Sequence, residues 1–150
     1  MPDVALPGFE APAARAIRIF CDGGSRGNPG PAAVGAVVLD ITDGTPTEIA
    51  SVSETIGIAT NNVAEYTALI RGLEVAAEFA ADRVEVRADS QLLIRQLEGR
   101  YRVKHPSLLP LYQQARQLLR PYREVDLQHV RREENTEADA LVNAALDAAR

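Results

Sequence analysis

The 150-residue chain has one cysteine, one methionine and no tryptophan, and aromatic residues make up only 5% of it. The lone Cys21 cannot close an internal disulfide, so nothing in the fold depends on an oxidising compartment. Long apolar runs are missing too. The longest, Ala32 to Leu39, is far short of the ~20 residues that span a bilayer. No basic segment leads into an apolar one near the N-terminus, as it would in a secretory signal. Internal repeats and low-complexity segments are also absent. These absences lead to the expectation of a soluble, cytoplasmic, monomeric protein with no membrane association and no obligate protein partner. What is present is ordinary for a globular chain: 46% hydrophobic and 25% charged residues. A chain this long is expected to form one domain that buries roughly 70% of its unfolded surface.

The net charge of −5 argues on its face against a polyanionic partner. Its distribution points the other way. Residues 1–86 carry a net −7, residues 87–132 a net +6 and residues 133–150 a net −4. A basic segment between acidic flanks fits either nucleic-acid contact or a solvated surface.

Residues 1–15 hold Pro2, Pro7 and Pro12 without any period and read as an N-terminal tail, leaving 16–150 as the domain. Ile17–Cys21 is a β-type run ending at Asp22, followed by a Gly/Pro-rich turn through Gly30. Strands are expected at Ala33–Asp40 and Glu48–Ile58. The period then changes to 3.6, predicting a helix from Asn62 to Ala81. A strand at Arg83–Ala88, a helix at Ser90–Glu98, a helix from Pro106 to before Pro121 and a strand at Glu124–Val130 follow. Asn135 is expected to cap a last helix striped with Ala138, Leu141, Val142, Ala145 and Leu146. This order predicts an α/β fold with a mixed sheet and helices on its faces.

Four acids stand at element junctions: Asp22, Glu65, Asp89 and Asp139. Singly, each has a local explanation. Asp22 suits a turn, Asn62 to Glu65 fits a capping box, Asp89 suits an N-cap, and Asp139 favours a helix N-terminus. Jointly, four acids at element ends raise a different possibility, convergence at one sheet edge. Gathered carboxylates repel one another, and a divalent cation relieves that repulsion. All-oxygen sites suit Mg²⁺ or Mn²⁺, and two such ions about 4 Å apart can clamp a displacement at phosphorus.

The segments Asp22-Gly-Gly-Ser-Arg-Gly-Asn-Pro-Gly-Pro31, Thr60-Asn-Asn-Val-Ala-Glu65, Ala88-Asp-Ser-Gln91 and Arg132-Glu-Glu-Asn-Thr-Glu-Ala-Asp139 closely resemble the motifs of type 1 ribonuclease H. The resemblance covers about Arg18 to Leu146. It implies the ribonuclease H fold, a five-stranded mixed sheet with helices on both faces. It also implies endonucleolytic hydrolysis of the RNA strand of RNA/DNA hybrids, giving 5′-phosphate and 3′-hydroxyl ends. By the same resemblance, Asp22, Glu65, Asp89 and Asp139 match the catalytic, metal-holding carboxylates for two Mg²⁺ ions, with Mn²⁺ as a substitute. Ser25, Asn28, Asn62 and Gln91 match positions beside the cut, and Thr60 and Asn61 match positions facing the DNA strand. Gly23 and Gly24 would let backbone groups approach the substrate. A non-catalytic nucleic-acid-binding module and a DNA-acting nuclease of the same fold stay open as alternatives.

The sequence departs from familiar members of the family in two places. Many carry a catalytic histidine in the loop before the last acid; here that loop is short, His129 reads as a strand residue, and Arg132 is the candidate auxiliary or phosphate-binding residue. Longer relatives insert a basic, tryptophan-bearing protrusion after the residues corresponding to Glu98. Here only Arg100, Arg102, Lys104 and His105 stand there, and Arg100, Arg102 and Lys104 are the candidate hybrid-binding basic residues.

Overall fold

Five strands form one mixed sheet in a computed structural model that describes residues 14–149. They are β1 (Ala16–Ser25), β2 (Gly30–Asp40), β3 (Thr47–Ala59), β4 (Arg83–Ala88) and β5 (Glu124–His129), in the order β3-β2-β1-β4-β5. The pairs β1–β2 and β2–β3 are antiparallel, while β1–β4 and β4–β5 are parallel. Four helices complete the fold: α1 (Asn61–Ala76), α2 (Gln91–Leu97), α3 (Leu109–Leu119) and α4 (Thr136–Ala148). Among the described residues, no helix is long and apolar enough to cross a membrane. The expected tail at 1–15 lies outside the described residues as far as residue 13. Arg15 is hydrogen-bonded to Asp82 through its backbone N–H and carbonyl.

The strand period of two sets the layers. Ile17, Ile19 and Cys21 of β1 and Val84, Val86 and Ala88 of β4 are buried in the main core. That core is closed by α1, α2 and α3 through Tyr66, Leu69, Leu73, Ile94, Leu97 and Leu119. On the opposite face α4 packs against β1, β2 and β3, with Val142 and Leu146 meeting Ala33. The rest of that face, along β4 and β5, bears Arg83, Glu85, Arg87 and Asp126 instead of a helix.

Several element ends differ from the expected ones. β1 runs on through Gly23, Gly24 and Ser25 instead of turning at Asp22, because these residues pair with Val34, Ala33 and Ala32 of β2. α1 stops at Ala76 and tightens into a 3₁₀ turn at Ala77–Phe79, ended by Ala80 in the left-handed region. α3 begins at Leu109 rather than Pro106, with Pro110 in its first turn where no N–H is missed. The helix caps differ most usefully. Thr60, not Asn62, caps α1, its hydroxyl accepting from the Val63 N–H, and Ser90, not Asp89, caps α2 in the same way. Glu65 and Asp89 are therefore not used as caps.

Candidate functional site

Parallel pairing of β1 and β4 matches Cys21 with Ala88, so the next residues, Asp22 and Asp89, emerge side by side at the same sheet edge. Glu65, one turn into α1, reaches them because Gly23 has no side chain. A Cβ there would overlap the Ala64 carbonyl of the helix backbone. Gly35 does the same on the other face, where a Cβ would overlap the Ala138 carbonyl of α4 beside Asp139. The signal for Gly35 was an isolated glycine inside an apolar strand, a mark of close backbone approach.

One ligand atom each from Asp22, Glu65 and Asp89 lies within 4.8 Å of the others. Asp139, in the first turn of α4, lines the same cleft, and its proximity helps to raise the pKa of Asp22. The electrostatic cost is visible on the acids. Burial, then the Asp89 charge and the Asp139 contact, push Asp22 from 3.8 up to about 8, with Arg132 opposing. Burial, then Asp22 and Asp89, raise Glu65 well above its ordinary value, against the Gly23 N–H and Arg132. The neighbouring Cys21 thiol is also pushed up, by burial first and then by these acids. Glu65 Oε2 is buried without a hydrogen-bond partner. An orphaned carboxylate oxygen facing two further carboxylates is a hard-oxygen donor set that fits a divalent cation.

These acids line a cleft of about 710 Å³ together with Gly23, Gly24, Ser25, Asn61 and Arg132. Asn28, Thr60, Asn62 and Gln91 stand outside its walls. The Asn28 side chain accepts from the Asn61 N–H, while the Asn61 side chain accepts from the Ser25 N–H. Two of the expected substrate positions thus tie the β1–β2 turn to the start of α1. Asn62 and Gln91 are exposed on the first turns of α1 and α2. His129, read from the sequence as a strand residue, does end β5, yet it is exposed on the cleft wall and its Nε2–H donates to the Asp89 carbonyl at 3.2 Å. Arg26, Arg131 and Asn143 also line the cleft and were not singled out in the sequence. Arg26 is held to α4 by Asp147 at 2.8 Å. Arg100, Arg102 and Lys104 are exposed in the loop between α2 and α3, away from the cleft walls, with Val103 turned in against the core.

A family model described as reverse transcriptase-like matches residues 20–145. The bifunctional protein Rv2228c of Mycobacterium tuberculosis is 50% identical over 133 residues, 89% of this chain and 36% of that protein. The structure of its N-terminal RNase H domain superposes with a TM-score of 0.84 at 48% identity, covering 88% of this chain and 99% of that one. Ribonuclease HI of Halobacterium salinarum is 47% identical over 87% of this chain and 64% of its own length. LC11-RNase H1, solved in complex with an RNA/DNA hybrid, superposes at 0.81 with 42% identity over 89% of this chain and 98% of that one. The chain thus spans about a third of Rv2228c and less than two thirds of the Halobacterium ribonuclease HI. Matched in sequence along most of its length and in backbone to those domains, the chain belongs to the reverse transcriptase-like family, among its type 1 ribonucleases H.

Proposed function

We propose that this chain is an endoribonuclease that hydrolyses the RNA strand of RNA/DNA hybrids, leaving 5′-phosphate and 3′-hydroxyl ends. The observation that carries this conclusion is the meeting of Asp22, Glu65 and Asp89 within 4.8 Å at the edge of an open cleft. The hybrid bound by the related LC11 enzyme supports the choice of substrate.

Asp22, Glu65, Asp89 and Asp139 would hold Mg²⁺, or Mn²⁺ in its place. When bound, a pair of such ions supplies an activated water and charge stabilisation for the leaving 3′ oxygen. The protein's own contribution is placement. Three of the carboxylates stand on β1, α1 and α4 and the fourth directly after β4, so their spacing is set by the packing of rigid strands and helices. Arg132, exposed in the cleft, would bind the phosphate. A guanidinium stays protonated near neutral pH, so its role is electrostatic and not proton transfer. Ser25 and Asn61 at the cleft, with Asn28, Thr60, Asn62 and Gln91 around it, would follow the two strands; the RNA 2′-hydroxyl both donates and accepts, which distinguishes it from DNA. Arg100, Arg102 and Lys104 would add salt-sensitive contacts to the hybrid backbone.

The test is a cleavage gel with labelled RNA/DNA hybrid and labelled duplex DNA, with and without Mg²⁺. Metal-dependent cutting of the RNA strand alone is the expected result. Binding without cutting would identify a non-catalytic module, and cutting of duplex DNA would identify a DNA-acting nuclease.

A further inference from the structure

Asn135 was expected to cap α4, and its side chain makes no capping hydrogen bond. It is instead 1% exposed, and its Nδ2 donates to the Cys21 carbonyl at 2.9 Å, across 114 positions of sequence. The Cys21 carbonyl and the Asp22 nitrogen belong to one planar peptide unit, so a bond to the first restrains the second. The backbone of the same residue makes two more connections. Its N–H donates to the Arg132 carbonyl at 3.0 Å, and its carbonyl accepts from the Asp139 N–H at 3.1 Å. One residue therefore joins the peptide that carries Asp22, the loop that carries Arg132 and the helical turn that carries Asp139.

The other end of the amide is poorly served. Asn135 Oδ1 is buried without a hydrogen-bond partner, which ordinarily costs about 1–3 kcal/mol. A residue that buries an orphaned oxygen and does not cap its helix is poorly explained by stability alone.

We infer that Asn135 is a positioning residue for the carboxylate site, a buried clip that sets the distance between Asp22 on β1 and Asp139 on α4. The inference rests on the proposal that these carboxylates hold divalent metal. Partners that orient metal ligands typically change metal affinity or activity by about 10- to 100-fold when removed. Nothing else among the described hydrogen bonds ties the Asp22 peptide directly to the α4 turn.

The test compares wild type, Asn135→Ala and Asn135→Ser with Leu119→Ala, which empties a core position on α3 remote from the site. Mn²⁺ is titrated calorimetrically into each protein without hybrid, and kcat and KM for a hybrid are measured separately. Asn135→Ser keeps a small polar group that no longer reaches Cys21, and it serves if the alanine variant does not fold. Both Asn135 variants should bind Mn²⁺ about tenfold more weakly and lose about tenfold in kcat with KM unchanged. Leu119→Ala should lower Tm and leave Mn²⁺ affinity alone. Asn135 variants that bind Mn²⁺ as wild type does, whatever their Tm, would overturn the clip. A wild type that binds Mn²⁺ without cutting the hybrid would end the ribonuclease proposal and leave the clip standing on the titration. A wild type that takes up no Mn²⁺ would overturn the metal site and the clip together.

Discussion

Two clusters of charge gather along β1 and β4 and the elements beside them, and they obey opposite rules. At one end of β1 and β4, Arg18, Arg83 and Arg87 meet Glu85, Glu124 and Asp126 in a connected set of ion pairs between 2.7 and 3.4 Å. Four residues beyond Arg18 on β1, and four beyond Glu85 just past the end of β4, Asp22 and Asp89 meet Glu65, with Asp139 lining the same cleft and Arg132 as the nearby cation that opposes them. Glu85 and Asp22 are comparably buried, at 8% and 7% exposure, yet their acidities move apart. Burial would raise Glu85, but hydrogen bonds from Arg18 and Arg83 and the Arg18 and Arg87 charges hold it below its ordinary value. Asp22 has no such partners and rises to about 8. Three arginines against three carboxylates is what folding alone favours when charge must be buried. Four carboxylates against one arginine leave an excess of negative charge that a proton on Asp22 or a divalent cation relieves.

The largest expected effect breaks the comparison at the carboxylate end. Asp22→Asn and Asp89→Asn should each lower the rate of hybrid cleavage at least about a thousandfold, on the order of 4 kcal/mol, with hybrid binding nearly kept. Glu85→Gln, in the balanced cluster, should cost about 1–2 kcal/mol of stability by leaving the buried Arg87 and the half-buried Arg18 and Arg83 underpaired, with kcat within about twofold of wild type. Denaturant melts and steady-state kinetics on the three variants check this; equal rate losses would erase the distinction between the clusters.

Arg132→Ala comes next. Slower turnover by about ten- to a hundredfold, or 1.4–2.7 kcal/mol, is expected if its charge binds phosphate. His129→Ala should cost less, since the described hydrogen bond of His129 at the site is to the backbone carbonyl of Asp89 and not to a carboxylate. The reverse ranking in kcat would transfer the auxiliary role to His129.

Acidity sharpens the contrast without any substrate. Asp22 is raised in the folded state from 3.8 to about 8, so the folded protein holds the extra proton between those values. Metal-free stability should therefore rise as pH is lowered from 8 toward 5. Glu85 is depressed below 4.5, so its contribution is present above that value and lost as pH falls further. Tm should accordingly pass through a maximum, with an upper limb on the order of 5 °C that Asp22→Asn or added Mg²⁺ flattens. An upper limb identical in Asp22→Asn would detach it from this site.

The smallest expected effect lies in the exposed loop. Replacing Arg100, Arg102 and Lys104 by alanine should raise KM about threefold and flatten its salt dependence, with kcat unchanged. Superimposable salt slopes would leave that loop to solvent.

Charge counting along the chain could not separate these populations of arginine. The net +6 of residues 87–132 includes Arg87 and Arg95, which are spent on Glu85, Asp126 and Glu98 inside the structure. Only exposed members such as Arg102, Lys104 and Arg132 form no ion pair among the described residues. The helix caps show a similar limit. Ser, Thr, Asn and Asp are all good caps, so Thr60 could not be told from Asn62, nor Ser90 from Asp89, by residue type.

By itself the sequence determined the element order and the mixed sheet, because periods of 2 and 3.6 are properties of neighbouring residues. It also determined where the four acids stand along the chain, at the ends of elements, and its motifs carried the family resemblance. Tertiary structure alone decided that the acids meet. That meeting depends on the parallel register of β1 with β4 and on two glycines that admit helix backbones, contacts between residues far apart in the chain. The same holds for Asn135, whose cap-like place in the sequence says nothing of Cys21. A side chain's hydrogen-bond partner is chosen by which backbone groups remain unpaired nearby, and only packing brings a carbonyl from 114 residues away within 2.9 Å.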